Sequence, residues 1–258
     1  PERQYYSMKK RRMRTGCVLR LLTAAAAGML FLGIAGCGMR KRNERTEMLS
    51  YLKDKYGEPF DFVESYAGEA GKSYSMLLAS SRKHPERKVL VRKSVEGGRL
   101  RFQDNYLAWI LRQELEKKER ETAERCFGEC KVYYRIPQFV FPPEFGAGMS
   151  VDEFLKNPLS MAQFYIYPAS ASGSEKQWEQ KLDEFVRQNA ECGYKVRGTV
   201  SLPGSGSDYE RITQENFASS DYEGYEAVAE LVFSMDERGG LRYRRWMKGM
   251  AREKGACG

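Results

Sequence analysis

An uncharged stretch near the N-terminus separates the first part of this chain from the rest. No charged residue lies between Arg20 and Arg40, and residues 21–36 are mostly apolar. A cationic segment, a short apolar segment and small residues at its end form a secretory signal. We therefore predict a signal peptide over residues 1–36, in which residues 1–7 are an upstream extension before Met8. An uncleaved anchor is the alternative, but the stretch is short for a span of about 20 apolar residues.

The apolar stretch ends in Ile34-Ala35-Gly36-Cys37. This sequence resembles the lipobox of bacterial lipoproteins. The resemblance implies that a diacylglyceryl group is attached to the sulfur of Cys37 and that the signal is cut after Gly36. It also implies that the protein is held on the outer face of the bacterial cytoplasmic membrane. Two acyl chains would hold it firmly, because each buried CH₂ contributes about 0.8 kcal/mol.

The net charge of +8 is concentrated at the same end of the chain. Residues 1–36 contribute +6 and residues 37–45 contribute +3, so residues 46–258 carry −1. Four bases follow the predicted anchor and form a membrane-proximal basic tether: Arg40, Lys41, Arg42 and Arg45. An anionic surface attracts each such base by about 1 kcal/mol, although a merely solvated tether is the alternative.

A neutral body disfavours a nucleic-acid partner. The expected partners are the membrane and either a protein or an envelope polymer.

Four cysteines remain after the predicted cleavage and acylation: Cys126, Cys130, Cys192 and Cys257. An even number in an exported protein permits disulfides, so these are candidate disulfide residues with their connectivity open. Buried free thiols are the alternative. Zinc is disfavoured because the Cys126–Cys130 pair has no second pair nearby and the chain has one histidine, His84. We predict no metal and no cofactor.

Hydrophobic periodicity and turn residues predict an α+β fold, with a mostly antiparallel sheet and helices packed on one face. Pro142-Pro143 marks a linker between two α+β subdomains, residues 46–141 and 150–258. Helices are predicted over 46–56, 104–125, from 150 onward, 174–193 and after 208. Strands are predicted near 60–63, 74–78, 89–92, 100–102, 132–141, 164–167, 194–202, 225–235 and 241–247. The Gly97-Gly98 pair predicts a tight hairpin between the strands at 89–92 and 100–102, and Ser150-Val-Asp-Glu153 predicts a capping box.

The helix predicted over 104–125 carries an apolar face and a charged one. Leu107, Ile110, Leu111 and Leu115 follow the i, i+3, i+4 spacing of a buried face. The residues of mixed charge at 114 and 116–119 are expected on the solvated side.

Two short motifs resemble a group of uncharacterised Firmicutes extracytoplasmic proteins. They are Lys55-Tyr-Gly-Glu-Pro-Phe60 at the end of a helix, matching Lys-Tyr-Gly-Glu-x-Phe, and the later Asp104-Asn-Tyr106. The resemblance covers about residues 46–120 and implies a Gram-positive surface lipoprotein. It implies no activity.

No catalytic residue is predicted, and a non-enzymatic role is favoured. His84 lies in a charged, proline-containing loop typical of a surface histidine, and Gly204-Ser-Gly-Ser-Asp208 lacks the lysine of a phosphate-binding loop. The candidate binding residues are Tyr243, Arg244, Arg245 and Trp246, where bases alternate with aromatics as in sites for anionic polymers. The alternative is an edge strand with its bases outward.

The sequence therefore predicts a membrane-anchored lipoprotein whose extracytoplasmic body is a non-catalytic binding or interaction module. Two alternatives remain. One is a cell-envelope hydrolase that acts on glycan or peptidoglycan through paired carboxylates, and the other is a solute-binding component of a transporter.

Overall fold

A computed structural model describes residues 43–66, 74–218 and 225–248. Residues 43–56 are helical and are called α1. The strands are β1 Phe60–Tyr66, β2 Tyr74–Ser81, β3 Lys88–Glu96, β4 Arg99–Asp104, β5 Cys130–Tyr134, β6 Ala162–Pro168, β7 Val196–Pro203, β8 Ala227–Met235 and β9 Leu241–Lys248. The other helices are α2 Tyr106–Phe127, α3 Val151–Lys156, α4 Glu175–Glu191 and α5 Gly206–Arg211, with a 3₁₀ turn at Pro158–Ser160.

The first sheet is antiparallel, in the order β1-β2-β3-β4. Every second side chain of these strands points toward α1. These inward side chains, such as Leu77 and Val91, pack against Met48 and Leu52 of the helix. The predicted hairpin between β3 and β4 is confirmed. Gly97 and Gly98 both have positive φ, which a two-residue turn of this kind requires.

The second sheet is mixed, in the order β5-β6-β7-β8-β9. Its β6–β7 pair is parallel and is joined through α4, while the other pairs are antiparallel. Helices α3 and α4, whose apolar residues belong to the core of this sheet, start where the sequence indicates. The predicted capping box at Ser150 is formed with Glu153, and Ser174 forms another with Gln177.

The second sheet is covered on both faces. One face packs against α2 and α4 in the largest core, to which Phe164, Phe185 and Phe233 belong. The other face carries Tyr133, Tyr165 and Tyr167, which are covered by a smaller cluster containing Tyr209 and Phe217. The α+β class is confirmed, and the second face has a cover of its own.

The division between the two main cores lies around residues 104–107. Leu107 and the rest of α2 pack with the second sheet, whereas Tyr106 packs with the first. The predicted linker lies inside the second core, because Phe145 is fully buried there. The predicted strand over 132–141 ends at Tyr134. Beyond it the chain crosses toward the first sheet, where the Phe141 N–H donates to Asp104 O (2.9 Å).

The burial of α2 corrects the expected helix face. Ile110 is 41% exposed, while Glu119, expected in solvent, is 0% exposed. The buried positions continue the i, i+4 series of 107, 111 and 115 through 119 to 123. The sequence therefore places a carboxyl group on the buried stripe, between α2 and α4.

Gly198 provides a test of the second sheet. A Cβ at this position would lie 2.1 Å from the carbonyl oxygen of Phe164 on the neighbouring strand. Because this carbonyl oxygen leaves no room for a methyl group, we expect Gly198→Ala to lower the free energy of unfolding by about 1–3 kcal/mol. Gly148→Ala is the control, since a Cβ there meets nothing within 4 Å. Equal urea midpoints for the two variants would contradict the close approach of β6 and β7.

Candidate functional site

The two short motifs lie together at one end of the first sheet. The Asp104 carboxylate accepts hydrogen bonds from Tyr51 Oη (2.7 Å), Tyr56 Oη (2.7 Å) and Lys55 Nζ (2.8 Å). It also accepts one from the backbone N–H of Tyr106 (2.9 Å). We call Tyr51, Lys55, Tyr56 and Asp104 the Asp104 cluster.

Glu58 of the first motif forms a second contact with the later one. Its carboxylate accepts hydrogen bonds from Ser81 Oγ (3.0 Å) and from Tyr106 Oη, and Lys83 Nζ lies 3.9 Å away. Glu58 and Tyr106 are both buried. The motifs are thus neighbours in the fold although about 50 residues separate them in the sequence.

The Asp104 cluster is arranged to hold the fold together. Burial and the adjacent Asp104 carboxylate raise the pKa of Tyr51 and of Tyr56, so both phenols stay protonated donors. Next to the cluster, Asn105 Nδ2 donates to Pro137 O (2.8 Å) and Gln103 Nε2 donates to Phe141 O (3.2 Å). The carboxylate is enclosed and has four donors, so it has no free face for a substrate.

The predicted residues of β9 lie on opposite faces of an edge strand. Arg244 and Trp246 face α4: Arg244 Nη1 lies 3.1 Å from Asp183, and Trp246 Nε1 donates to Glu179 (3.2 Å). Tyr243 and Arg245 alternate with them and are exposed on the other face. The structure therefore does not bring the four residues onto one surface.

The cysteines within the described part of the chain are free thiols. Cys126 is half-buried, Cys130 is buried and Cys192 is exposed. Burial raises the pKa of Cys126 to about 11 and of Cys130 to about 12. These two thiols are therefore weak nucleophiles. The structure thus forms none of the predicted bridges among these three, and Cys257 lies outside the described residues.

Most of the predicted anchor lies outside the described residues, namely Gly36, Cys37, Arg40, Lys41 and Arg42. Arg45 is the exception. It belongs to α1, and its guanidinium carbon lies 3.5 Å from the centre of the Phe62 ring. Arg45 is thus part of the folded body, and α1 already includes residue 43.

Neither His84 nor the Gly204–Asp208 loop forms a site. His84 Nδ1 lies 3.7 Å from Glu86 on the surface. In the Gly204–Asp208 loop, Asp208 accepts from Glu226 N (3.0 Å) and pairs with Arg211 (2.9 Å). A carboxylate therefore occupies the centre of that loop, which disfavours an anion there.

A groove of about 670 Å³ crosses the second sheet where β6 and β7 begin and β8 ends. Its walls come from three separate segments: the turn at 158–161, residues 195–197, and the β8–β9 hairpin from 234 to 242. We call it the Arg197 groove. No sequence pattern reveals it, because folding alone brings these segments together.

The Arg197 groove is rich in positive charge. Lys195, Arg197, Arg238 and Arg242 line it, and none forms an ion pair with another residue in the described ranges. The Nε of Arg197 is buried and has no hydrogen-bond partner there. Such a buried donor calls for a partner, since buried polar groups in folded proteins are nearly always satisfied.

The two acids of the groove offset this charge only in part. Asp236 accepts hydrogen bonds from the backbone N–H of Arg238 (2.8 Å) and Gly240 (2.9 Å). The bond from Gly240 is the main cause that lowers the pKa of Asp236, so this carboxylate is engaged in the hairpin turn. Glu237 is exposed.

The groove also has an apolar wall at the turn before β6. Leu159 and Met161 line it and are 50% and 45% exposed. Met161 has a φ of +47°, a left-handed conformation that a non-glycine residue rarely adopts and that often accompanies functional sites. The groove thus offers cations and apolar surface side by side.

The described part of the chain holds no group of three or more His, Cys, Asp or Glu side chains arranged to hold a metal ion. None of its helices has the length and apolar character needed to cross a membrane.

Comparisons with known proteins find a distant structural likeness. No protein-family model matches the chain. No curated protein matches it either. The chain is similar to a solved structure, the crystal structure of a DUF5037 family protein from Ruminococcus gnavus ATCC 29149, with a TM-score of 0.41 and 14% sequence identity. The match covers 77% of this chain and 94% of that one.

Proposed function

We propose that this protein is a lipid-anchored extracytoplasmic binding protein, and that its Arg197 groove binds a ligand with an anionic group next to an apolar part. The lipobox ending at Cys37 supports the anchor. The groove supports the binding role, and the ligand would be an acidic segment of a protein or of an envelope polymer.

One observation carries the binding proposal: Lys195, Arg197, Arg238 and Arg242 line one groove, and none of them forms an ion pair with another residue in the described ranges. An anionic group in the groove would offset this concentration of positive charge. Hydrogen bonds to charged groups contribute about 1.5–3 kcal/mol, more than those between neutral groups. Lys195, Arg238 and Arg242 would strengthen the attraction, and the first two also help to lower the pKa of Asp236 in the same groove.

The hydrolase alternative gains no support from the carboxyl groups of the described residues. A general acid needs a raised pKa at a cleft. Burial raises the pKa of Glu116 and of Glu119, but both lie inside the core. The hydrolase and the transporter component remain predictions, to be tested by turnover on peptidoglycan fragments and by ligand-dependent melting.

The anchor is tested by the mass of the protein extracted from bacterial membranes. We expect a chain that begins at Cys37 and carries a diacylglyceryl group. An unmodified Cys37 in a chain that keeps residues 8–36 would contradict the anchor.

The groove is tested with 8-anilinonaphthalene-1-sulfonate, a small probe that joins an anionic group to an aromatic one. We expect Arg197→Gln and Arg242→Gln each to weaken its binding about tenfold, which corresponds to about 1.4 kcal/mol. Added salt should reduce the difference, because screening weakens the attraction of exposed charges.

Arg120→Gln is the matched control, since Arg120 is exposed on α2 and does not line the groove. Equal probe affinities for all three variants, each with the unfolding midpoint of the parent, would contradict the proposed site.

A further inference from the structure

The β3–β4 hairpin exposes two apolar side chains at its tip. Val95 and Leu100 are cross-strand partners and are 53% and 50% exposed. Lys93 and Phe102 form the next pair on the same face, and both contact α1: Lys93 Nζ lies 2.6 Å from Glu47, and the Phe102 ring stacks on Tyr51. Val95 and Leu100 therefore extend the α1-facing side of the sheet toward the start of that helix.

The chain enters the fold at this same end. Ser75 Oγ donates to Glu44 (2.9 Å) near the start of α1, and Asn43 lines one groove together with Leu100. Cys37 is six residues before Asn43. An extended chain reaches at most about 3.5 Å per residue, so the two are at most about 21 Å apart. A lipid on Cys37 would thus keep the hairpin tip close to the bilayer.

The charges around the tip suit an anionic surface. Arg99 and Arg101 flank Leu100 in β4, so strand alternation places them on the other face of the same hairpin tip. Both are exposed; Arg101 pairs with Glu96 (3.2 Å), and Arg99 forms no ion pair within the described ranges. Arg40, Lys41 and Arg42 lie in the sequence between the anchor and α1. Bases beside exposed apolar residues form the usual pattern of a surface that rests on a bilayer.

We propose that the β3–β4 hairpin rests on the lipid surface, with Val95 and Leu100 at the headgroup boundary, and that it fixes the orientation of the body on the membrane. This inference rests on the proposed acylation of Cys37. The anchor holds the protein near the bilayer, and the hairpin determines which end of the first sheet faces it.

The test places a tryptophan at the hairpin tip. The full chain, with the lipid on Cys37 verified by mass, is incorporated into phosphatidylcholine vesicles with 30% phosphatidylglycerol, with and without brominated acyl chains. Leu100→Trp is compared with Val228→Trp, because Val228 is similarly exposed (53% against 50%) but lies on β8 of the second sheet. We expect brominated lipid to remove at least half of the emission that Leu100→Trp adds to that of the parent, and none of that added by Val228→Trp.

Charge reversal gives a second measurement. Arg99→Glu together with Arg101→Glu should reduce the quenching of the tryptophan at position 100 at least twofold. Equal quenching at positions 100 and 228 in acylated protein would overturn the inference and leave the anchor intact. Blue-shifted emission at position 100 that brominated lipid does not quench would also overturn it, since the chain itself would then cover the tip. An unmodified Cys37 would overturn the anchor, and the inference with it.

Discussion

Asp104→Ala is expected to lower the free energy of unfolding by about 3 kcal/mol or more, because it removes the acceptor at the centre of the Asp104 cluster. The carboxylate is fully enclosed, and the side chain of Lys55 is only 16% exposed. Removing one partner of a buried ion pair typically costs about 3–5 kcal/mol, since the other charge stays desolvated. The hydroxyl groups of Tyr51 and Tyr56 would lose their acceptor as well.

Urea unfolding followed by tryptophan fluorescence measures this effect, since Trp109 packs against the first core and Trp178 lies in the second. Asp61→Ala is the control, because Asp61 pairs with Arg82 at the surface, where ion pairs contribute little. The double variant Lys55→Met, Asp104→Leu should recover part of the loss, because it leaves no unpaired charge. A loss below about 1 kcal/mol for Asp104→Ala would contradict the role of the cluster.

Glu119 is expected to make the protein less stable as the pH rises from about 4.5 to about 8. Burial raises the pKa of this carboxyl from 4.5 to about 8, and the nearby Asn189, Lys118 and Arg125 lower it only in part. Both of its oxygens are buried with no hydrogen-bond partner in the described structure. The folded state therefore keeps its proton over a range in which the unfolded chain has lost it.

The sign of the effect follows from proton linkage. The stability due to the proton on Glu119 is fully present below pH 4.5 and is lost as the pH rises through about 8. Each pKa unit corresponds to 1.36 kcal/mol, so the loss by pH 7 is on the order of 3 kcal/mol. Glu119→Gln keeps the size of the side chain and cannot ionise, so this variant should lack that part of the pH dependence.

Urea unfolding at pH 5 and at pH 8 tests this directly. The stability of Glu119→Gln relative to the parent should increase by on the order of 3 kcal/mol between the two pH values. Glu114→Gln, at an exposed position of the same helix, should show no such change. Parallel pH profiles for the parent and Glu119→Gln would contradict a neutral Glu119 in the folded protein.

The sequence and the structure agree best where local signals are strong. The glycine pair of the β3–β4 turn and the capping box at Ser150 lie where their residue types indicate, because φ and hydrogen bonding near a turn or cap depend on a few neighbouring residues. Strand ends were harder to predict. β5 ends at Tyr134 because the following residues turn to bond Asp104, a contact distant in sequence.

Neither the burial of Glu119 nor the Arg197 groove was predicted from the sequence, for different reasons. Residue 119 continues the i, i+4 series of 107, 111 and 115, so its burial was readable from spacing once its charge was set aside. No comparable signal marked the Arg197 groove, because its three walls come from distant segments. The bases at 195, 197, 238 and 242 have nothing in the sequence to distinguish them from other surface bases.

The sequence alone determined the α+β class, the turns and caps, and the division of charge that leaves residues 46–258 with −1. These features depend on residue type and near neighbours. Only the tertiary structure decided that two motifs about 50 residues apart share one buried carboxylate. It also decided that Arg244 and Arg245 lie on opposite faces of β9, and that four bases line one groove. Such features depend on contacts between distant segments, which packing fixes and local pattern does not.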